Sequence, residues 1–74
     1  MKYCRITDKK GRVLALIIIA NAADHKLAIL LSSQDIVEKY RKSYQINIED
    51  DIIIEELLRK IDISVSEVEI NCNN

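Results

Sequence analysis

The sequence predicts a small α+β domain, a mostly antiparallel sheet in the order β-β-β-α-α-β with two helices packed on one face. Three observations carry that expectation. A hairpin signal opens the chain, with the only glycine at its turn. The apolar run VLALIIIA after the turn reads as a strand buried on both faces. Two stretches with helix start signals and apolar periodicity then precede an alternating tail. At 74 residues, the chain is expected to form a single α+β domain over 1–74. Its composition, 49% hydrophobic and 31% charged, is that of an ordinary globular domain. So short a chain buries only about 60% of its unfolded surface, so a partner surface would add much to its stability.

The segment YCRITDKKGRVLAL reads as the hairpin. Asp8-Lys9-Lys10-Gly11 suits a type I turn followed by a left-handed residue, and Gly11 stands where positive φ is required. The implied register sets Asp8 opposite Arg12, Ile6 opposite Leu14 and Cys4 opposite Leu16. One face then carries Cys4, Ile6, Leu14, Leu16 and Ile18. The other carries Tyr3, Arg5, Thr7, Val13, Ala15, Ile17 and Ile19.

Val13 to Ala20 is far shorter than the roughly 20 residues of a bilayer-spanning helix. Asn21, Asp24, His25 and Lys26 separate it from the next apolar stretch, so a membrane hairpin is not expected. Three consecutive isoleucines, stiff at χ1, favour strand. Lys26 to Leu31 reads as a third strand after the loop NAADH. The competing reading is a helix from Ala22 to Leu31 capped by Asn21. Ser32 is a fresh N-cap signal with Asp35 three residues on, and Leu31 and Ile36 are spaced as a hydrophobic staple. A first helix is therefore expected to run to about Tyr44, with Ile36, Val37, Tyr40 and Tyr44 on one side.

A second helix is expected after Asn47. Glu49, Asp50 and Asp51 suit its positive end, and Arg59 and Lys60 its negative end. Ile53, Ile54, Leu57, Leu58 and Ile61 share one face, and Ile52 falls opposite. The tail alternates with a slip: Ile61, Ile63 and Val65 have one parity, Val68, Ile70 and Cys72 the other. Either one strand bulges near Ser66 or the strand covers only one half.

Few constellations suit chemistry. Glu49, Asp50, Asp51, Glu55 and Glu56 form a dense carboxylate cluster, without the spacing or glycine of a calcium loop. His25, the sole histidine, is placed in a surface loop. Cys4 and Cys72 have no zinc-ligand spacing. Adjacent terminal strands would allow a bridge between them, but reduced cysteines are the default for a cytoplasmic protein, the location expected here. No catalytic residue, metal or cofactor is expected. Basic residues outnumber acidic ones nine to four over residues 1–47, and acidic outnumber basic eight to two over 48–74. Two halves attracting each other account for that asymmetry.

The function expected is that of a small non-catalytic protein-binding module, an adaptor, inhibitor or regulatory subunit, working through an apolar sheet face as a homo-oligomer. Two helices cover one face of such a sheet, and Val13, Ala15, Ile17 and Ile19, with Tyr3 beside them, would form the other. One alternative is a nucleic-acid-binding regulator, using Lys9, Lys10 and Arg12 at the hairpin tip with Lys39, Arg41 and Lys42 on the first helix. Another is a small-molecule or enzymatic site formed between protomers. The partners expected are the chain itself and another protein, with no membrane.

Overall fold

Each stretch of the chain that must bury apolar side chains on both sides needs hydrogen-bonding neighbours at both edges. A computed structural model, which describes residues 1–32, 39–46 and 48–73, meets that need with a five-stranded sheet. Its elements are β1 (Lys2–Thr7), β2 (Val13–Asn21), β3 (His25–Ser32), β4 (Lys39–Gln45), helix α1 (Asp50–Lys60), a 3-10 turn (Val65–Glu67) and β5 (Glu69–Asn73). The strand order is β4-β3-β2-β1-β5, and every neighbouring pair is antiparallel. The first four strands form a meander. The chain then crosses the sheet as α1 and returns as β5 beside β1.

The small α+β description holds, but the β-β-β-α-α-β arrangement with two packed helices does not. Among the described residues there is one α-helix, plus a short 3-10 turn. Residues 39–45, expected as the end of a first helix, form β4. The reason is a shared periodicity. A spacing of four puts Tyr40 and Tyr44 on one side of a helix, and equally on one side of a strand. What decides is β3, whose far edge would be unpaired without β4. Leu30 pairs with Tyr40 and Lys26 with Tyr44. The helix start signals at Asp35 and Ile36 lie outside the described residues, and Ser32 is the last residue of β3.

The third strand is present, as His25–Ser32, rather than a helix from Ala22 to Leu31. The hairpin turn also forms as read. Gly11 has φ 83, its N–H donates to Asp8 O at 3.0 Å, and Asp8 N–H donates to Arg12 O at 2.9 Å. The Asp8 carboxylate fastens the turn by accepting from the N–H groups of Lys10 and Arg12, both at 2.9 Å. Those bonds, the backbone one from Arg12 foremost, hold its carboxyl below the ordinary range.

Beyond the turn, the register departs from expectation. Thr7 pairs with Val13, but Ile6 pairs with Ala15 and Cys4 with Ile17, because β2 gains one residue in a bulge between Ile6 and Thr7. One extra residue exchanges the faces of everything beyond it. Ala15, Ile17 and Ile19 therefore join Cys4 and Ile6 in the core, and Leu16 and Ile18 face the other way. The run VLALIIIA is apolar at both parities, so its pattern does not resist the exchange. Side-chain size explains which parity suits the helix: Ala15 and Ala28, both fully buried, leave room for α1 to approach.

Helix α1 buries Ile53, Ile54, Leu57 and Leu58, and leaves Ile52 53% exposed, on the faces expected. Ion pairs anchor it to the sheet. Lys26 Nζ donates to Asp50 Oδ1 at 2.8 Å and to Ile48 O at 2.9 Å, and Lys2 Nζ lies 3.6 Å from Asp50 Oδ2. Farther along, Lys42 pairs with Glu56. The helix ends in a Schellman motif: Asp62 N–H donates to Arg59 O at 3.2 Å and Ile63 N–H to Leu58 O at 3.0 Å. Asp62 takes the left-handed conformation, φ 56, where a glycine is usual. Ile63 can then pack on the core, and only Glu69–Asn73 of the alternating tail is strand.

Candidate functional site

Since α1 lies on one face only, the opposite face of the sheet has no covering element among the described residues. Strand alternation brings Leu16, Ile18 and Ala20 of β2 to that face. Cross-strand pairing sets them beside Leu31, Ile29 and Leu27 of β3. Tyr3, 37% exposed, extends the row next to Ile18. All six aliphatic residues are half-buried, sheltered by one another rather than by a second layer. Polar residues flank the strip: Arg41 and Ser43 on β4, and Glu69, Asn71 and Asn73 on β5, with Arg5 between Leu16 and Asn71.

This is not the set of residues expected from the sequence. Ala15 and Ile17 are fully buried and Ile19 is 2% exposed, all beneath α1, so they cannot form an outer surface. Val13 remains exposed at 39%, near the bulge, and Tyr3 lies on the open face. The residues that replace the buried three were legible as apolar, but the sequence carries no mark of the bulge that turns them outward.

The basic residues do not form the single surface expected. Lys9, Lys10 and Arg12 are exposed at the β1–β2 turn. Arg12 Nε donates to Asp8 Oδ2 at 2.7 Å, so part of its charge is spent on the turn. Arg41 and Lys42 alternate on β4, so they point to opposite faces of the sheet. Lys42 is held by Glu56, whose hydrogen bond raises the Lys42 pKa above the ordinary lysine value. The same bond, seen from Glu56, holds that carboxyl below its ordinary value. Lys39 starts β4 on the strand next to Leu31, not on a helix. The helical half of the nucleic-acid reading is thereby removed.

The carboxylate cluster is likewise dispersed. Asp50 is engaged with Lys26 and Lys2, and its pKa is lowered first by the Lys26 hydrogen bond. Glu56 is engaged with Lys42. Among the described residues, no three acidic, histidine or cysteine side chains converge as a metal-ligand set. His25 Nδ1 lies 2.7 Å from Asp24 Oδ1, an exposed pair at the start of β3. That hydrogen bond lowers the Asp24 pKa.

One feature overturns the default expectation from the sequence, and one was absent from it. Cys4 and Cys72 stand directly opposite each other on β1 and β5, with Cα atoms 4.0 Å apart, and are joined as a disulfide rather than reduced. Tyr44, 4% exposed, has a buried hydroxyl with no hydrogen-bond partner among the described residues. Burial, more than the nearby Glu56 carboxylate, raises its pKa above the ordinary phenol value. No helix among the described residues is long and apolar enough to cross a membrane. Comparison with protein-family models, with curated proteins and with solved structures finds no match to this chain.

Proposed function

We propose that this chain is a non-catalytic protein-binding module that works through the open face of its sheet, and that the first occupant of that face is a second copy of the chain. The supporting observation is the contiguous strip of Leu16, Ile18, Leu27, Ile29 and Leu31 on a face with no helix. The largest apolar patch on a monomer, typically a few hundred Å², is often functional. Five strands about 4.8 Å apart, each about 20 Å long, give a face of roughly 480 Å². Two such faces would bury about 1,000 Å², near the lower limit for a specific complex. The association proposed is therefore dynamic and concentration-dependent, compatible with exchange for another protein, as an adaptor, inhibitor or regulatory subunit requires.

A two-fold axis across the strands would stack the β4 flank, with Arg41, on its own copy, at an electrostatic cost. An axis parallel to the strands sets the β4 flank instead against the partner's β5 flank, where the cross-strand register puts Arg41 level with an asparagine. A cytoplasmic site of action is part of the same proposal.

Light scattering coupled to size exclusion, over a concentration series, tests the reading. A dimer that dissociates on dilution, and that Ile29→Lys converts to a folded monomer, is the expected result. A monomer at all concentrations would overturn self-association. A dimer unaffected by Ile29→Lys would overturn the choice of face.

A further inference from the structure

We propose that Cys72 is a thiol–disulfide exchange site, and that its reaction with a thiol reductant releases β5 from the edge of the sheet. The two ends of the bond differ sharply. Cys4 is fully buried beneath α1, whereas Cys72 is exposed on the outermost strand. Exchange requires a thiolate to approach one sulfur opposite the bond that breaks. Approach from solvent beyond β5 meets that requirement at Cys72, with Cys4 as the leaving group. Approach at Cys4 is blocked by the core.

The surroundings of Cys72 leave room for a small thiol. On the helix side, Cys72 borders a cleft of about 440 Å³ lined also by Lys2, Asp51, Glu55 and Ile70, so charges of both signs face an incoming thiolate. On the other side it borders a hollow lined by Tyr3, Arg5, Asn71 and Asn73. The reductant's thiolate sulfur bonds to Cys72 Sγ, the disulfide breaks, and its electron pair leaves on Cys4 Sγ, which takes up a proton. A second thiol of the reductant then displaces Cys72 as a thiolate, which is also protonated. The reductant leaves as a disulfide, and the protein keeps two thiols.

Little else holds β5. It has five residues, pairs only with β1, and is exposed throughout except at half-buried Ile70. Its preceding 3-10 turn buries no residue. Such a segment belongs to the part of a fold that opens locally before the core does. Its release would leave the outer edge of β1 with unpaired N–H and C=O groups, a template for strand addition.

Hydrogen exchange of the intact chain, with and without dithiothreitol in native buffer, tests the proposal alongside maleimide counting of thiols. Cys72 should become reactive to maleimide without denaturant, and Cys4, which stays in the core, should react fully only after unfolding. Amides of residues 69–73 should lose protection by about tenfold or more while those of β2 and β3 keep theirs. Cys72→Ser should show the released pattern without reductant and no further response to it. Three results would each overturn the proposal: a bond reduced only after unfolding, a reduced chain with β5 still protected, or loss of protection throughout the sheet.

Discussion

Ile17 and Ile18 are neighbours in sequence and chemically identical, yet the β2 bulge gives them opposite fates, so truncating each in turn tests the face assignment directly. Ile17 is fully buried, between Cys4 on one side and Leu30 on the other, beneath α1. Removing its branches in Ile17→Ala leaves a cavity that the sheet and helix cannot close without moving each other. The cost expected is about 3–4 kcal/mol. Ile18 is half-buried between Tyr3 and Ile29, with solvent on its outer side. Ile18→Ala should cost about 1 kcal/mol, since less area returns to water and no closed cavity forms. A domain of this length has roughly 4–11 kcal/mol in total, so the first change would remove a large share of it. Urea denaturation followed by circular dichroism reads the difference. With a slope of about 1 kcal/mol per molar, the midpoint should fall by about 3–4 M for Ile17→Ala and about 1 M for Ile18→Ala. The protein should be dilute, so that self-association adds nothing to either number. Equal shifts, or a larger one for Ile18→Ala, would mean that β2 pairs without the bulge. The open face would then be the one carrying Ala15, Ile17 and Ile19.

Gly11→Val should cost about 1–2 kcal/mol by chemical denaturation. A Cβ at Gly11 meets nothing within 4 Å, so the cost is that of φ 83 alone, and an unchanged midpoint would refute the turn. Asp62→Gly should stabilise by about 0.5–1 kcal/mol, because glycine relieves the left-handed strain at the end of α1; a lower melting temperature would refute that. Tyr44→Phe should be neutral or stabilising by about 1 kcal/mol, since it removes a buried hydroxyl without a partner, and a loss of stability would reveal a bond to that oxygen. Asp50 gives the pH dependence. Its folded pKa lies below the ordinary value of 3.8, so its contribution is complete above that value and is lost as pH falls through the lowered one. Melting temperatures of Asp50→Asn and the parent chain should therefore differ at neutral pH and converge in acid. A gap that persists there would refute the role of the Lys26 pair.

The parts of this fold that depend on local chemistry were legible in the sequence. The Asp8–Gly11 turn needs one residue of positive φ, and only one residue in the chain supplies it cheaply. Helix α1 announces itself through acidic residues at its start, basic residues at its end and a 3.6-residue apolar period. What was not legible depends on long-range balance. Tyr40 and Tyr44 satisfy both helical and strand periods, and β3's unpaired edge, a tertiary fact, decided between them. The bulge opposite Thr7 is invisible because Leu16 and Ile17 are equally apolar. Cys4 and Cys72 could be seen as near the chain ends, but their register depends on where β5 begins. That in turn depends on the Schellman ending at Asp62, which lacks its usual glycine signal.

Widths explain why one face of the sheet stays open. Five strands at about 4.8 Å make a sheet about 24 Å across, and one helix is about 10 Å wide. A single helix therefore cannot cover even its own face. On that side, the β4 flank is closed by Tyr40 and Tyr44 and, around them, by charge. Lys26 and Lys42 reach up from β3 and β4 to Asp50 and Glu56, and Lys2 reaches Asp50 from β1. Their aliphatic stems cover the sheet while their charged ends stay near water. The opposite face has no such arrangement among the described residues. Its central strands carry leucine and isoleucine with no layer above them among the described residues, and Arg5 and Arg41 stand outside the apolar strip. The uncovered face is built from residues that gain only when another surface meets them.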